Sequence, residues 1–406
     1  MIRAIKYELK PNRQQKELIN KTCGCCRFVY NYMLDKKIKA YQENKRNISS
    51  YDLIKELVAL KEEYTFLKEI PSQALQQSIL NMDFAYKLFF KKNNGFPKFK
   101  KKGINDSYRI PIDCDIDFDN WKVKIAKIGK VKIYRGHNKK IEGHIKSYTI
   151  KHTTTDRYFI SIIYECEDIQ KLYNNTSVGI DLGIKTFATL SDGKIFENQK
   201  YLEQNLKKLR VLQRKASRQY KQNSQNQSNN WKKTMKQIAK LHEHIKFQRQ
   251  DYLHKISRYI ADNYSAVFIE DLNIKEMEQD KKLSRYIGAC GWNMFINLLK
   301  YKCTDVIKVD RYFASSQICN VCGYKNSKVK NLSIRTWICP KCNTKHNRDL
   351  NASINIKREG LSLCALNKPM GLFAQNHTIS MVWDSQILFE WFYRYKHRLS
   401  LKGLKW

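Results

Sequence analysis

Residues 177–193 read SVGIDLGIKTFATLSDG. The apolar run Val178, Gly179, Ile180 reads as a buried strand, and FATLSDGKIFE (187–197) behind it as a hairpin. Asp181 ends the strand where a hydrophobic core calls for another apolar residue, and burying a carboxylate is costly without a metal or a partner. Further along, AVFIED (266–271) forms a second buried strand, with Glu270 in the place Asp181 holds in the first. A helix around 292–302 and a third strand, DVIKVD (305–310), complete an α/β series. Strand side chains alternate, so Asp271 faces away from Glu270, and Glu270 is the better candidate.

A third acid, Asp349, stands in HNRDLNASINI (346–356), where LNASINI is helical. Alone, it also reads as an N-cap. Together, two acids on neighbouring core strands and one at a helix start could hold two Mg²⁺ about 4 Å apart, suited to hydrolysing a phosphodiester. Asp192, within SDG, reads as a turn residue.

Cys319-Asn-Val-Cys322 and Cys339-Pro-Lys-Cys342 enclose 16 residues. That is the spacing of two zinc knuckles supplying four thiolates to one Zn²⁺. Such a site is closed and therefore structural. Cys23, Cys25 and Cys26 have no second pair nearby and sit in a helical pattern, so they read as packing residues.

The chain has 406 residues, 42% of them hydrophobic, enough for several domains with real cores. Lysine and arginine number 76 against 38 acidic residues, a net charge of +38, which implies a polyanionic partner. The excess is clustered: residues 207–258 carry 15 basic and 2 acidic side chains, and 91–102 carry 6 basic and none acidic. Clustering of this kind marks a nucleic-acid surface. The candidates for phosphate contact are Lys98, Lys100, Arg210, Arg214, Lys215 and Arg249. The N-terminal MIRAIKYELK lacks an apolar core of signal-peptide length and no run approaches 18 apolar residues, so a cytoplasmic or nucleoid location with no membrane contact is expected. The 12 cysteines then favour metal ligation over disulfides.

Residues 2–9 read as a strand, and a helical region opened by Pro11 runs to about residue 90. Gln73, Gln76 and Gln77 lie along one side of its last helix. KKNNGFPKFKKKG (91–103) breaks the helices, and alternation between 108 and 167 reads as antiparallel strands. The simplest assembly joins strand 2–9 to these later strands in a small barrel, with the helices inserted. Two long basic helices, about 202–221 and 231–264, form a hairpin around the polar NSQNQSNN (223–230).

Over about residues 1–360 these features resemble the TnpB family, transposon-encoded relatives of type V CRISPR nucleases. GIDLGIKTFATLSDG (179–193), IEDLNIKEM (269–277) and CNVCGY with WICPKCNTKHNRDLNASINI (319–324 and 337–356) resemble its three RuvC motifs in order, with a zinc ribbon before the last. LHEHIKFQRQDYLHKIS (241–257) and NGFPKFKKK (94–102) resemble other family segments. The resemblance implies an α+β multidomain protein. Its RNase H-like RuvC domain would span 173–316 and 344–360, with the basic hairpin 202–264 and the ribbon 317–343 within it. A wedge β-barrel (1–10 and 104–172) would carry an inserted helical recognition domain (11–103).

The resemblance also implies a guide RNA from the transposon end, a target DNA cut with Mg²⁺ by Asp181, Glu270 and Asp349, and a monomeric ribonucleoprotein or weak dimer. A short motif beside the target would be read by protein and the remainder by base pairing. Gln73, Gln76 and Gln77 are candidates for that reading, because amides pair with adenine edges. Asn347 stands where the family often has Asp, and residues 361–406, with Trp383, Trp391 and Trp406, match nothing in the family. A nuclease-inactive DNA-binding regulator would lack one or more of the acids, and all three are present. A strand transposase acting without RNA would need a different acid arrangement, and a CRISPR-associated effector would differ in gene neighbourhood.

Overall fold

A computed structural model describes residues 1–45, 47–103, 106–134, 140–167, 176–222, 226–280 and 283–367. Residues 368–406, with Trp383, Trp391 and Trp406, lie outside the described residues, as does 223–225 of the polar hairpin loop. The chain divides into two compact units near residue 168. No helix among the described residues is long and apolar enough to cross a membrane.

The first unit runs β1 (Ile2–Lys10), α1 (Arg13–Asn44), α2 (Ser50–Glu63), α3 (Ser72–Phe90), β2 (Ser107–Ile110), β3 (Ile116–Asp117), β4 (Lys122–Ile125), β5 (Gly129–Ile133), β6 (His144–His152) and β7 (Tyr158–Glu165). Asn12 starts α1 with a reciprocal cap: its side chain accepts from the Gln15 backbone N–H at 2.8 Å while the Gln15 side chain accepts from the Asn12 N–H at 3.1 Å. The antiparallel sheet has the order β2-β6-β7-β1-β5-β4-β3. β1 thus lies between strands that follow the helices in sequence. Its Tyr7 and Leu9 share one hydrophobic core with Val29, Met33 and Leu75 of the helices. Cys23, Cys25 and Cys26 are buried in that core.

The second unit runs β8 (Ser177–Leu182), β9 (Thr186–Leu190), β10 (Ile195–Glu197), α4 (Tyr201–Gln219), α5 (Asn229–Asn263), β11 (Ala266–Glu270), α6 (Ile274–Met277), α7 (Ser284–Cys290), α8 (Trp292–Lys302), β12 (Asp305–Val309), β13 (Thr336–Ile338), β14 (Lys345–Asn347) and α9 (Arg348–Asn367). Its five-stranded sheet has the order β10-β9-β8-β11-β12, with β8, β11 and β12 parallel. Val178, Ile180, Val267 and Ile269 point to one face, where Leu253 and Ile256 of α5 and Phe295 and Leu299 of α8 cover them. Phe268 and Val309 point to the other face and meet Ile356 of α9. Alternation along β8 and β11 then sends Asp181 and Glu270 to the α9 side, with Gly179 and Phe268.

Two glycines let α9 approach the sheet. A Cβ on Gly179 would lie 2.1 Å from the Ser353 carbonyl oxygen of α9, and one on Gly360 of α9 would lie 2.1 Å from the Phe268 ring. Glycine inside a helix costs roughly 1 kcal/mol relative to alanine, and here the close approach requires it. Replacing Gly179 with Ala should push α9 off β8 and destabilise the second unit by about 1–3 kcal/mol, the usual cost of overpacking. Denaturant unfolding of the variant checks this, and an unchanged midpoint would contradict the packing described.

Candidate active site and zinc ribbon

The site begins with strand register. β8 and β11 pair in parallel with Ile180 opposite Ile269, so the next residue on each strand, Asp181 and Glu270, stands at the same edge of the sheet. Asp349 comes from the first turn of α9. Asp349 is not the N-cap: Asn347 takes that role, its Oδ1 accepting from the backbone N–H of Asp349 at 3.0 Å and of Leu350 at 3.1 Å. Asparagine caps as well as aspartate does, which leaves the Asp349 carboxylate free of the helix end.

Burial, followed by the negative charges of Glu270 and Asp349, pushes the Asp181 carboxyl well above the ordinary range, while Arg348 and Arg335 pull it down. Glu270 is also raised by burial, and the Ser315 hydroxyl that donates to its Oε1 lowers it. Arg335 pairs with Asp349 at 3.1 Å. The negative charges of Glu270 and Asp349 thus both reach Asp181. Asp271 is held apart: it pairs with Lys308 and, at 3.4 Å, with Arg311, and these partners keep it below the usual carboxylate range. Asp192 sits in the β9–β10 turn, accepting from the Lys194 N–H at 2.9 Å.

The four cysteines converge. Cys319, Cys322, Cys339 and Cys342 place their sulfurs within 4.8 Å of one another, the only such group of three or more potential metal ligands among the described residues. The Cys319–Cys342 and Cys322–Cys339 sulfurs lie 3.6 and 3.5 Å apart. A tetrahedron with Zn–S bonds of about 2.3 Å has edges of about 3.8 Å, so these four thiols fit one Zn²⁺. The thiols share their protons unevenly: hydrogen bonding with the Thr344 side chain and backbone lowers Cys342, whereas, against a lowering from the Tyr324 backbone, burial and the other three sulfurs raise Cys322. His346, buried, lies 3.1 Å from the Cys319 sulfur and packs tilted against the Trp337 ring, centroids 4.7 Å apart.

The ribbon is bound to α9. Asn351 and Asn355, 1% and 2% exposed, donate to the Ile318 carbonyl at 2.7 and 2.6 Å, and Asn355 also donates to the Ser315 carbonyl at 2.8 Å. Asn351 accepts from the Asn320 N–H at 2.9 Å, and Arg348 donates to the Asn331 carbonyl at 2.7 Å. Sequence reading missed Ser315, Arg335, Asn351 and Asn355. The one available signal was the i,i+4 spacing of the two asparagines on a single helix face.

The candidates for nucleic-acid contact separate by environment. Arg210, Arg214 and Lys215 are exposed on α4, where Arg210, Arg214 and Arg218 follow at i,i+4 spacing along a groove shared with Gln213 and Ser217. Lys98 is exposed. The Lys100 ammonium lies 4.0 Å over the Tyr30 ring, and burial of that end lowers its pKa although much of the residue's surface is accessible. Arg249 points inward and donates to the Gly288 and Ala289 carbonyls of α7 at 2.9 and 3.3 Å. Gln77 is buried and donates to Asn81 at 3.0 Å, whereas Gln73 and Gln76 are half-buried.

Comparison with known proteins agrees with this architecture. Residues 161–281 match the family described as "Probable transposase", 292–356 the family described as "Cas12f1-like, TNB domain", and 1–46 a family described as "Helix-turn-helix domain". The chain is 33% identical to "Putative RNA-guided DNA endonuclease InsQ" of Escherichia coli, covering 90% of this chain and 94% of the relative. It is 30% identical to a "Putative RNA-guided DNA endonuclease" of Streptomyces pristinaespiralis, covering 89% of this chain and 90% of the relative. Among solved structures, a Cas12f1–sgRNA–target DNA complex is similar in fold, at 13% identity and a TM-score of 0.54 over 88% of this chain and 98% of that one. With similarity to such relatives sustained along nearly its whole length, the chain belongs to the TnpB family.

Proposed function

We propose that this protein is a transposon-encoded, RNA-guided endonuclease that cuts DNA by metal-dependent hydrolysis, with Asp181, Glu270 and Asp349 as its catalytic acids. The observation that carries the reading is the register that sets Asp181 beside Glu270, together with the charges of Glu270 and Asp349 that reach Asp181 and, with burial, raise its carboxyl. The names of the relatives matched along nearly their whole length, RNA-guided DNA endonucleases, support the same activity. Carboxylate oxygens are the donors that Mg²⁺ takes, and the three acids would hold it. The ions, when bound, would activate a water and stabilise the leaving oxygen of the phosphodiester. The protein's own work at the site is positioning: strand register sets Asp181 beside Glu270, and the Asn347 cap spares the Asp349 carboxylate from capping its helix, so that Arg335 can hold it.

In this reading the second unit is the RuvC nuclease with its zinc ribbon, and the four cysteines hold a structural Zn²⁺. The first unit supplies the wedge, built on its seven-stranded antiparallel sheet, and the recognition helices. The exposed arginines of α4 grip the guide RNA or the guide–target duplex through phosphates. Gln73 and Gln76, the amides with accessible surface, are proposed to read the motif beside the target.

Alanine at Asp181, Glu270 or Asp349 should lower DNA cleavage by at least about a hundredfold, since two-metal hydrolysis depends on the position and charge of both ions. Guide-dependent DNA binding should persist, and Asp271→Ala should retain cleavage. Wild-type cutting by guide-loaded Glu270→Ala protein in Mg²⁺ would refute the assignment. For the ribbon, metal analysis of the purified protein should return one zinc per chain, and Cys339→Ser should lose it and lower the thermal midpoint; a zinc-free folded protein would be inconsistent with the site. For α4, changing Arg210, Arg214 and Arg218 together to Gln should weaken RNA binding and flatten the log–log salt slope by about 2 to 3, since each phosphate contact contributes about 0.9. An unchanged slope would remove α4 from the interface.

A further inference from the structure

We infer that Ser315 is a positioning residue for the nuclease site: it fixes the Glu270 carboxylate relative to the helix that carries Asp349. The inference rests on the catalytic reading of Glu270 given above. Three observations support it. The Ser315 hydroxyl donates to Glu270 Oε1, and Ser315 is itself 5% exposed. Its carbonyl accepts from Asn355 of α9 at 2.8 Å. The loop that follows is pinned again at Ile318, whose carbonyl takes both Asn351 and Asn355, and the next residue is the zinc-ligand candidate Cys319.

A glutamate at a strand end has freely turning side-chain torsions, and a metal ligand that turns freely binds weakly because its ordering must be supplied on binding. Burying two asparagine amides is unfavourable unless both are satisfied. Here both are spent on one short loop, and the Ser315 hydroxyl of that loop donates to Glu270, while the neighbouring Ser316 hydroxyl accepts from Arg348 at 3.5 Å. The route Glu270–Ser315–Asn355 ends on α9, whose first turn holds Asp349. Two acids 79 residues apart in sequence are thereby fixed in relative position through one hydroxyl.

The test compares Ser315→Ala, Ser315→Thr and Asp271→Ala as full-length proteins. Each is loaded with guide RNA and assayed for the Mg²⁺ concentration giving half-maximal cleavage. Each is also titrated without nucleic acid against Mn²⁺, with binding read by electron paramagnetic resonance. Loss of a group that orients a metal ligand typically costs 10- to 100-fold in metal affinity. Ser315→Ala should therefore raise the half-maximal Mg²⁺ and weaken Mn²⁺ binding by about tenfold or more, with guided DNA binding unchanged. Ser315→Thr, which keeps the hydroxyl, should recover most of both, and Asp271→Ala should match wild type. If Ser315→Ala loses zinc or melts early, Ser315→Cys, of nearly the same volume with a weaker donor, takes its place with the same expected shifts. Wild-type Mg²⁺ requirement and Mn²⁺ affinity in the substituted protein overturn the inference, and so does a Thr variant as impaired as Ala. Inert Glu270→Ala protein beside an unaffected Ser315 variant sinks this inference alone, whereas Glu270→Ala protein cutting at the wild-type rate sinks the catalytic reading beneath it.

Discussion

The crowding of negative charge at the end of β8 is the constraint on which the second unit depends. Asp181 is half-buried by its accessible surface, and burial of its carboxyl with the charges of Glu270 and Asp349 disfavours its ionised form. A fold tolerates such a cluster only if the rest of the structure holds it in place, and here the sheet and α9 do so. Apolar side chains fill both faces of the strands up to the last residue before each acid. The acids then lie where the packing stops, as expected when a stable core is used to hold groups that would not choose one another's company.

The zinc ribbon belongs to the same solution. It enters between the third strand of the sheet and α9, and its flanking residues reach the acids: Arg335 pairs with Asp349, and Ser315 donates to Glu270. Ser315 and Arg335 each precede the first cysteine of a knuckle by four residues. A small module with little apolar interior, built around Val329 and Trp337, would gain from a metal on its four cysteines the rigidity that its own core cannot supply. Its flanks reach Glu270 and Asp349 through the contacts of Ser315 and Arg335.

Much of this was legible in the sequence because the signals are local. The acid at the end of each apolar run and the alternation that sets Asp271 aside each need only a few neighbouring residues to read, and the spacing of the cysteine pairs needs only the 24 residues 319–342. The long helices of the basic hairpin also appear where periodicity put them. What charge and residue type alone could not give was the direction in which a side chain points. Arg249 lies in the most basic stretch yet serves the carbonyls at the end of α7, and Gln77 turns into its own helix bundle. The Ser315–Glu270 and Asn355–Ser315 contacts join residues 45 and 40 positions apart, and nothing in either local pattern announces the other.

The placement of α9 has a consequence for how the protein is made. Asp181 leaves the ribosome 168 residues before Asp349, and Glu270 lies between them. Until α9 docks, Phe268 and Val309 present an uncovered apolar face, and Gly179 offers a bare backbone to whatever arrives. Chains emerge at roughly 5 to 20 residues per second, so the incomplete sheet must survive for several seconds with one side open. During that time the nascent chain already carries its basic hairpin, yet it lacks Asp349. On the reading proposed above, synthesis from the amino terminus orders the two capacities, with the nucleic-acid surface made before the third acid of the cutting centre.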